Sequence, residues 1–168
     1  MSVTVTGLGP SPQAASVPNI LHRRELTDHL LTVLQGTNKP VGDAVSPAGG
    51  GWDGPPNENG SNFVPYSVLF PGASTVSNGP FCDTQADWQV VYQVSSFGVS
   101  RSQCEWMGDL ARASIVATQR TLIQLGSDQF RVLQARETLI GPVARMDVVE
   151  PSYFGQTDSV TLWMSKEL

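Results

Sequence analysis

A chain of 168 residues, 40% of them hydrophobic, is long enough to bury one sizeable core, and no independent second domain is expected. A net charge of -5, with no Lys or Arg between Lys39 and Arg101, disfavours a nucleic-acid-gripping role, which takes clustered cations against phosphates. The longest apolar runs fall far short of the roughly 18 residues of a spanning helix, and no basic stretch followed by an apolar one opens the chain, so a soluble protein made in a cytosol without a signal peptide is expected.

Residues 1–18, "MSVTVTGLGPSPQAASVP", carry no charged side chain and three Pro, and read as an extended arm ahead of a single domain over 19–168. Its "SVTVT" start suits addition to a neighbouring sheet edge as well as it suits a frayed terminus. A first helix is expected over about 19–35: Leu26, Leu30, Val33 and Leu34 recur at helical spacing, Pro18 precedes the start and Gly36 supplies the stop. From Thr37 to Pro65 follow six Gly and five Pro in 29 residues, with four charges and no His or Cys. Connections beyond about 12 to 15 residues are uncommon and usually functional or disordered. Trp52 and Phe63 are apolar bodies that seek burial, so an ordered loop serving as a binding surface is expected.

"YSVLF" reads as a strand closed by Pro71-Gly72, and "DWQVVYQVSSFG" as a longer one with Trp88, Val90, Tyr92 and Val94 on one face. A second helix is expected over about 101–125, with Ser100 as N-cap, a stripe of Cys104, Met107, Ala111, Ser114 or Ile115 and Thr118, and a stop at Gly126. "QFRVLQARETLI", "PVARMDVVE" and "DSVTLWMS" read as three more strands. The simplest architecture for this order is α+β: two helices on one face of a mostly antiparallel, about five-stranded sheet.

Chemistry-bearing patterns are few. His22 and His29 stand roughly 10 Å apart along one helix, too far to share a metal whose ligand bonds are about 2 Å. Cys82 and Cys104 form no zinc pattern; both are expected as free thiols, Cys104 as a small core residue. Asp83 beside Cys82 would raise its pKa and weaken it as a nucleophile. No GxSxG, GxxxxGK[ST] or GxGxxG pattern occurs. Glu105, Asp109 and Arg112 are spaced as a helix-surface ion network. Trp106, off the apolar stripe and beside Arg, has the character of an interface anchor, with packing against its own sheet or loop as the alternative.

Taken together, "ELTDHLLTVLQGTNKPVGDA", "GW…P…FVPYSVLFPG", "GPFCDTQADWQVVYQVSSFGVSRSQCEWMGDLAR" and "PSYFGQTDSVTLWMS" resemble the tail terminator proteins of long-tailed (siphovirus) phages of actinobacteria, over about Glu25 to Ser165. The resemblance rests on the "PVGD" turn at Pro40–Asp43, the "PYxVLxPG" strand ending at Gly72 and the "RxQxEWM" helix start at Arg101; Gly108 takes a place where a small residue is expected, and the arm falls outside the pattern. It implies a non-enzymatic virion protein without cofactor, assembled in the host cytoplasm and located at the neck of the tail. Six copies would form a hexameric ring on the head-proximal end of the tail tube, stop its polymerisation and present a docking face to head-to-tail connector proteins, while phage DNA passes through the channel unbound. Under this reading Trp52, Phe63, Tyr66, Arg101, Trp106 and Arg112 are candidate subunit or tube contacts, with Trp52 anchoring the long loop on a neighbour, and Asp43, Asp53, Glu58, Asp83 and Asp87 are candidates for the channel surface. Competing readings are a head-completion or stopper protein, a small hydrolase using Asp83, Asp87 or Cys82, and a carbohydrate-binding module using Trp52 and Tyr153.

Overall fold

The computed structural model describes residues 21–56, 61–78, 86–147 and 151–167. The arm, Glu58, Cys82 and Asp83 lie outside these residues. Helix α1 spans Arg23–Gln35 and turns Leu26, Leu30 and Leu34 inward, three residues at a spacing of four that share one side of the cylinder. Helix α2 spans Arg101–Val116. The Ser100 hydroxyl accepts the Gln103 amide N–H at 3.2 Å, which satisfies one orphan donor of the first turn, and the Gln103 side-chain oxygen accepts the Val99 N–H, just before the cap, at 2.7 Å.

The strands are β1 (Val41–Asp43), β2 (Gly51–Trp52), β3 (Phe63–Val64), β4 (Tyr66–Asn78), β5 (Ala86–Gly98), β6 (Leu122–Leu125), β7 (Asp128–Leu139), β8 (Ala144–Met146) and β9 (Tyr153–Lys166). Seven form one sheet in the order β1-β4-β5-β9-β7-β6, with β8 pairing β9, and β2 pairs β3 apart from it. Among the described residues only β1 and β4 pair in parallel. The α+β expectation holds, with both helices joining one core cluster on one face of the sheet, but the sheet is wider than the five strands expected because β1 and β6 extend its two edges.

Strand β6 also corrects the second helix, which ends at Val116 rather than near Leu125. The Thr118 hydroxyl bonds the Ile115 carbonyl at 2.7 Å, Arg120 adopts φ 65°, and Leu122–Leu125 then alternates exposed and buried. Apolar residues at 122, 123 and 125 fit helical and strand periods equally over so short a run; the turn residues decide between them. Gly126, read as a helix stop, instead takes φ 61° in the two-residue turn that leads from Leu125 to its partner Asp128. Likewise β4 does not end at Pro71-Gly72: a register shift between Pro71 and Ser74 absorbs the proline and the strand runs on.

Strand β9 is central, pairing β5 along one side and both β7 and β8 along the other. Its residues Gln156, Asp158, Val160, Leu162 and Met164 turn toward the helices and are buried, as are Trp88, Val90, Tyr92 and Val94 of β5. The Tyr92 hydroxyl meets the Thr27 hydroxyl at 3.0 Å, which ties α1 to the sheet without leaving a phenol unpaired in the core.

The long loop is anchored on the opposite face. Tyr66 stacks on Phe97 with ring centroids 4.8 Å apart, Phe63 lies 6.2 Å from both Tyr66 and Tyr153, and Trp52 meets Phe63 edge-on at 5.6 Å. Phe97 and Tyr153 alternate with inward-facing residues on their strands, so this aromatic row covers the side the helices leave open. A Cβ on Gly50 would stand 2.8 Å from the Tyr66 Cβ, so the loop backbone can lie this close only where the side chain is a hydrogen.

Leu30 has no solvent exposure, and a Leu→Ala change at such a site typically costs about 2–5 kcal/mol. Leu30→Ala is therefore expected to lower the urea midpoint by a corresponding amount with the slope of the transition unchanged; a shift no larger than that of an exposed α1 substitution such as Gln35→Ala would show that α1 does not seal the core.

Candidate functional site

The most structured polar site lies where α2 crosses β9. Asp158 is completely buried. Its Oδ2 accepts from Arg112 Nη1 at 2.7 Å, and its Oδ1 accepts from the Gly141 N–H at 3.0 Å and from Gln156 Nε2 at 2.7 Å. Arg112 is itself buried, and it also pairs with Asp109 one turn earlier and lies 3.5 Å from Glu137 Oε1. One guanidinium is thus shared by three carboxylates, with hydrogen bonds on both oxygens of the deepest one, which is the condition under which a buried ion pair offsets its desolvation.

Small residues make this approach possible. A Cβ on Gly108 would lie 3.2 Å from Asp158 Oδ2, so the helix packs directly on the carboxylate. A Cβ on Gly141 would fall 2.1 Å from the Thr157 carbonyl oxygen; the chain leaving β7 therefore passes in contact with the β9 backbone before β8 begins. Arg101, Glu105, Asp109, Arg112, Ile140, Pro142 and Gln156 border a pocket of about 370 Å³ beside this network.

Of the residues expected at interfaces, Arg101 is exposed and pairs with Glu105 at 2.9 Å, whereas Arg112 is an internal residue of the ion network. Trp106 is 46% exposed, with Lys39 Nζ 5.2 Å from its ring centroid, a cation–π contact on the outer flank of α2. Trp52, Phe63 and Tyr66 are brought together in the aromatic row, each half-buried. The acidic residues do not converge. Asp43 borders a pocket of about 340 Å³ with Arg23, Arg24 and Asp28; Asp53 accepts the Asn62 N–H at 2.6 Å within the long loop; Asp87 is exposed on the sheet face away from the helices.

Sequence reading passed over Asp158, Gln156, Glu137 and Gly141. A signal existed: period two places Asp158 on the inward row of β9 with Val160, Leu162 and Met164, and helical spacing places Arg112 on the buried side of α2 with Gly108 and Ala111. Two opposite charges on two inward faces call for each other.

Cys104 donates to the Ser96 carbonyl at 3.2 Å. Burial, with Asp158 and Glu105 nearby, pushes its thiol up to about 11, which keeps it a protonated core residue at neutral pH. His22 stands 3.7 Å from Glu25 and 4.0 Å from Asp128, and burial lowers the pKa of His29. Among the described residues no group of three or more His, Cys, Asp or Glu is placed to hold a metal ion, and no helix is long and apolar enough to cross a membrane.

No family model matches the chain, and no curated protein matches it. Matches among solved structures include one whose name describes no function: 18% identical, with a TM-score of 0.44, covering 87% of this chain and 93% of its own. That likeness assigns neither a family nor a role.

Removing one partner of a buried ion pair commonly costs about 3–5 kcal/mol, while an exposed pair contributes about 0–1 kcal/mol. Arg112→Ala is expected to fall in the first range and Asp109→Ala, whose side chain is 70% exposed, in the second, as read by urea unfolding; equal effects would contradict the assignment of Asp158 as the principal partner. Cys104 is expected to resist iodoacetamide at pH 8 in the folded protein and to react on unfolding. As pH rises from about 9 toward 11 the unfolded thiol ionises before the folded one, so stability falls in that window and not below it; labelling of folded Cys104 at the rate of a free thiol would remove this account.

Proposed function

We propose that the chain is a ring-forming structural subunit of a long-tailed phage neck, which caps the head-proximal end of the tail tube, stops its polymerisation and offers a docking face to connector proteins. The motif set from Glu25 to Ser165 supports this reading on the sequence side. The structural observation that carries it is the pair of unlike sheet edges. On one side the sheet ends in the four-residue β6, beside exposed Leu122. On the other it ends in β4, which β1 covers only at Ser67–Leu69, leaving the strand beyond the Pro71 irregularity without a strand partner on that side among the described residues. A closed ring needs two different patches on each copy, one meeting the other on the next, and unlike edges provide two.

Exposed Trp106 with Lys39, and the exposed Leu139 and Ile140 beside the ion network, add apolar surface for contacts with neighbouring copies, tube or connector. The half-buried aromatic row presents a second such surface at the long loop, where Trp52 packs on its own chain first and on a neighbour only through the part left exposed. Passage of DNA without adhesion follows from the overall acidity of the chain rather than from one convergent acidic patch.

Tail lengths measured by electron microscopy in lysates of phage lacking this gene test the reading. Overlong tubes without heads are the expected result. Tails of normal length separated from filled heads would transfer the assignment to a head-completion or stopper protein.

A further inference from the structure

The pocket beside Asp158 has an unmet requirement. Gln156 is 5% exposed, and its Nε2 must face the Asp158 carboxylate, which only accepts; this fixes the amide orientation and leaves the buried Oε1 without a hydrogen-bond partner. A buried acceptor of this kind calls for a donor from outside. The other buried group of this site without a hydrogen-bond partner, the donor Arg112 Nε, already faces Glu137 Oε1 at 3.5 Å, and the charges around the pocket are unbalanced toward the acids: Glu105, Asp109, Glu137 and Asp158 stand against Arg101 and Arg112. Arg112 is already shared among three carboxylates, while Asp109 and Glu137 keep 70% and 41% of their side chains exposed. Ile140 and Pro142 on the rim suit a methylene stem. The pocket therefore matches a guanidinium or ammonium group on an aliphatic chain, which supplies donors to Gln156 Oε1 and to the two part-exposed carboxylates together.

Arg120 has the complementary features. It is exposed and makes no ion pair or side-chain hydrogen bond among the described residues. Its backbone is held in an uncommon conformation for a non-glycine residue, φ 65°, with its N–H bonded to the Val132 carbonyl at 2.7 Å, so the side chain is presented from a fixed turn. Several other cations are engaged locally: Arg131 with Glu167, Arg145 with Asp147, Lys166 with Asp128, Lys39 with Trp106 and Arg23 with the Gly72 carbonyl, while Arg24 borders the pocket that holds Asp28 and Asp43. Arg120 cannot fill the pocket of its own chain. Val132 and Glu137 are five strand residues apart, about 17 Å at 3.3–3.4 Å per residue, well beyond the reach of an arginine.

We propose that the pocket bordered by Asp109 and Gln156, with Glu137 beside it, receives Arg120 of a second copy of this chain, as a head-to-tail contact between unlike patches. The inference rests on the ring reading above and names one contact within it. Its test is carbodiimide coupling of the Arg120→Lys protein, in a mixture of heavy-nitrogen-labelled and unlabelled chains, followed by mass spectrometry. The expected products are mixed-isotope amides joining the amine introduced at position 120 to Asp109 or Glu137, lost when Asp109→Asn and Glu137→Gln are introduced together. A monomer without mixed-isotope products, or copies coupled only at other positions, would overturn the contact. Neither result alters the tail-length outcome, by which the capping role is judged separately.

Discussion

A carboxylate with no access to solvent, set in the middle of the central strand, constrains how the rest of the domain meets. Asp158 needs a cation and several donors at once. It draws the cation from α2 through Arg112, one donor from its own strand through Gln156, and one from the backbone of the β7–β8 connection through Gly141. Three segments distant in sequence are thereby fixed at one point. A slip of β9 by one residue would turn Asp158 to the outer face and strand Arg112 in the core, so the network enforces the same register as the burial of Val160, Leu162 and Met164 on that strand.

The sheet has two faces, and the two helices of the described residues lie on the same one. This gives the long loop a purpose that its composition could not reveal. Tyr66, Phe97 and Tyr153 stand on the uncovered face, and the loop returns Trp52 and Phe63 to pack on them. Farther along, the same face carries Gln89, Gln93 and Ser159, residues that water can solvate. The loop covers this one aromatic group, while half-buried Trp163, opposite Gln89 farther along the face, is outside its reach.

The parts of this fold that were legible in the sequence are those where periodicity and punctuation agree. Leu26, Leu30 and Leu34 marked α1, Ser100 marked the start of α2, and the alternation of Trp88 to Val94 marked β5. The end of α2 was not legible, since Leu122, Ile123 and Leu125 satisfy either period and the deciding feature is a left-handed turn at Arg120. The narrow strands β1 and β2 were hidden for a different reason: three and two residues carry too little alternation to read, and they are strands only because a partner lies alongside. Within the candidate site Arg112 was noticed for its helical neighbours, but its partner lay 46 residues away, visible only to a reading that asks why an acid occupies an inward row.

The placement of β9 has a consequence for the order in which the molecule can be completed. The β4–β5 and β6–β7 pairs are each joined by connections local in sequence, yet they do not touch along a shared edge in the strand order; β9 separates them. Until that later segment arrives, each pair presents an open edge of backbone donors and acceptors, and Arg112 has no interior carboxylate to meet. Insertion of one strand then closes two edges and neutralises one buried cation in a single event. Closure of this kind depends on contacts far apart along the chain, which slows folding and couples the two halves into one cooperative unit.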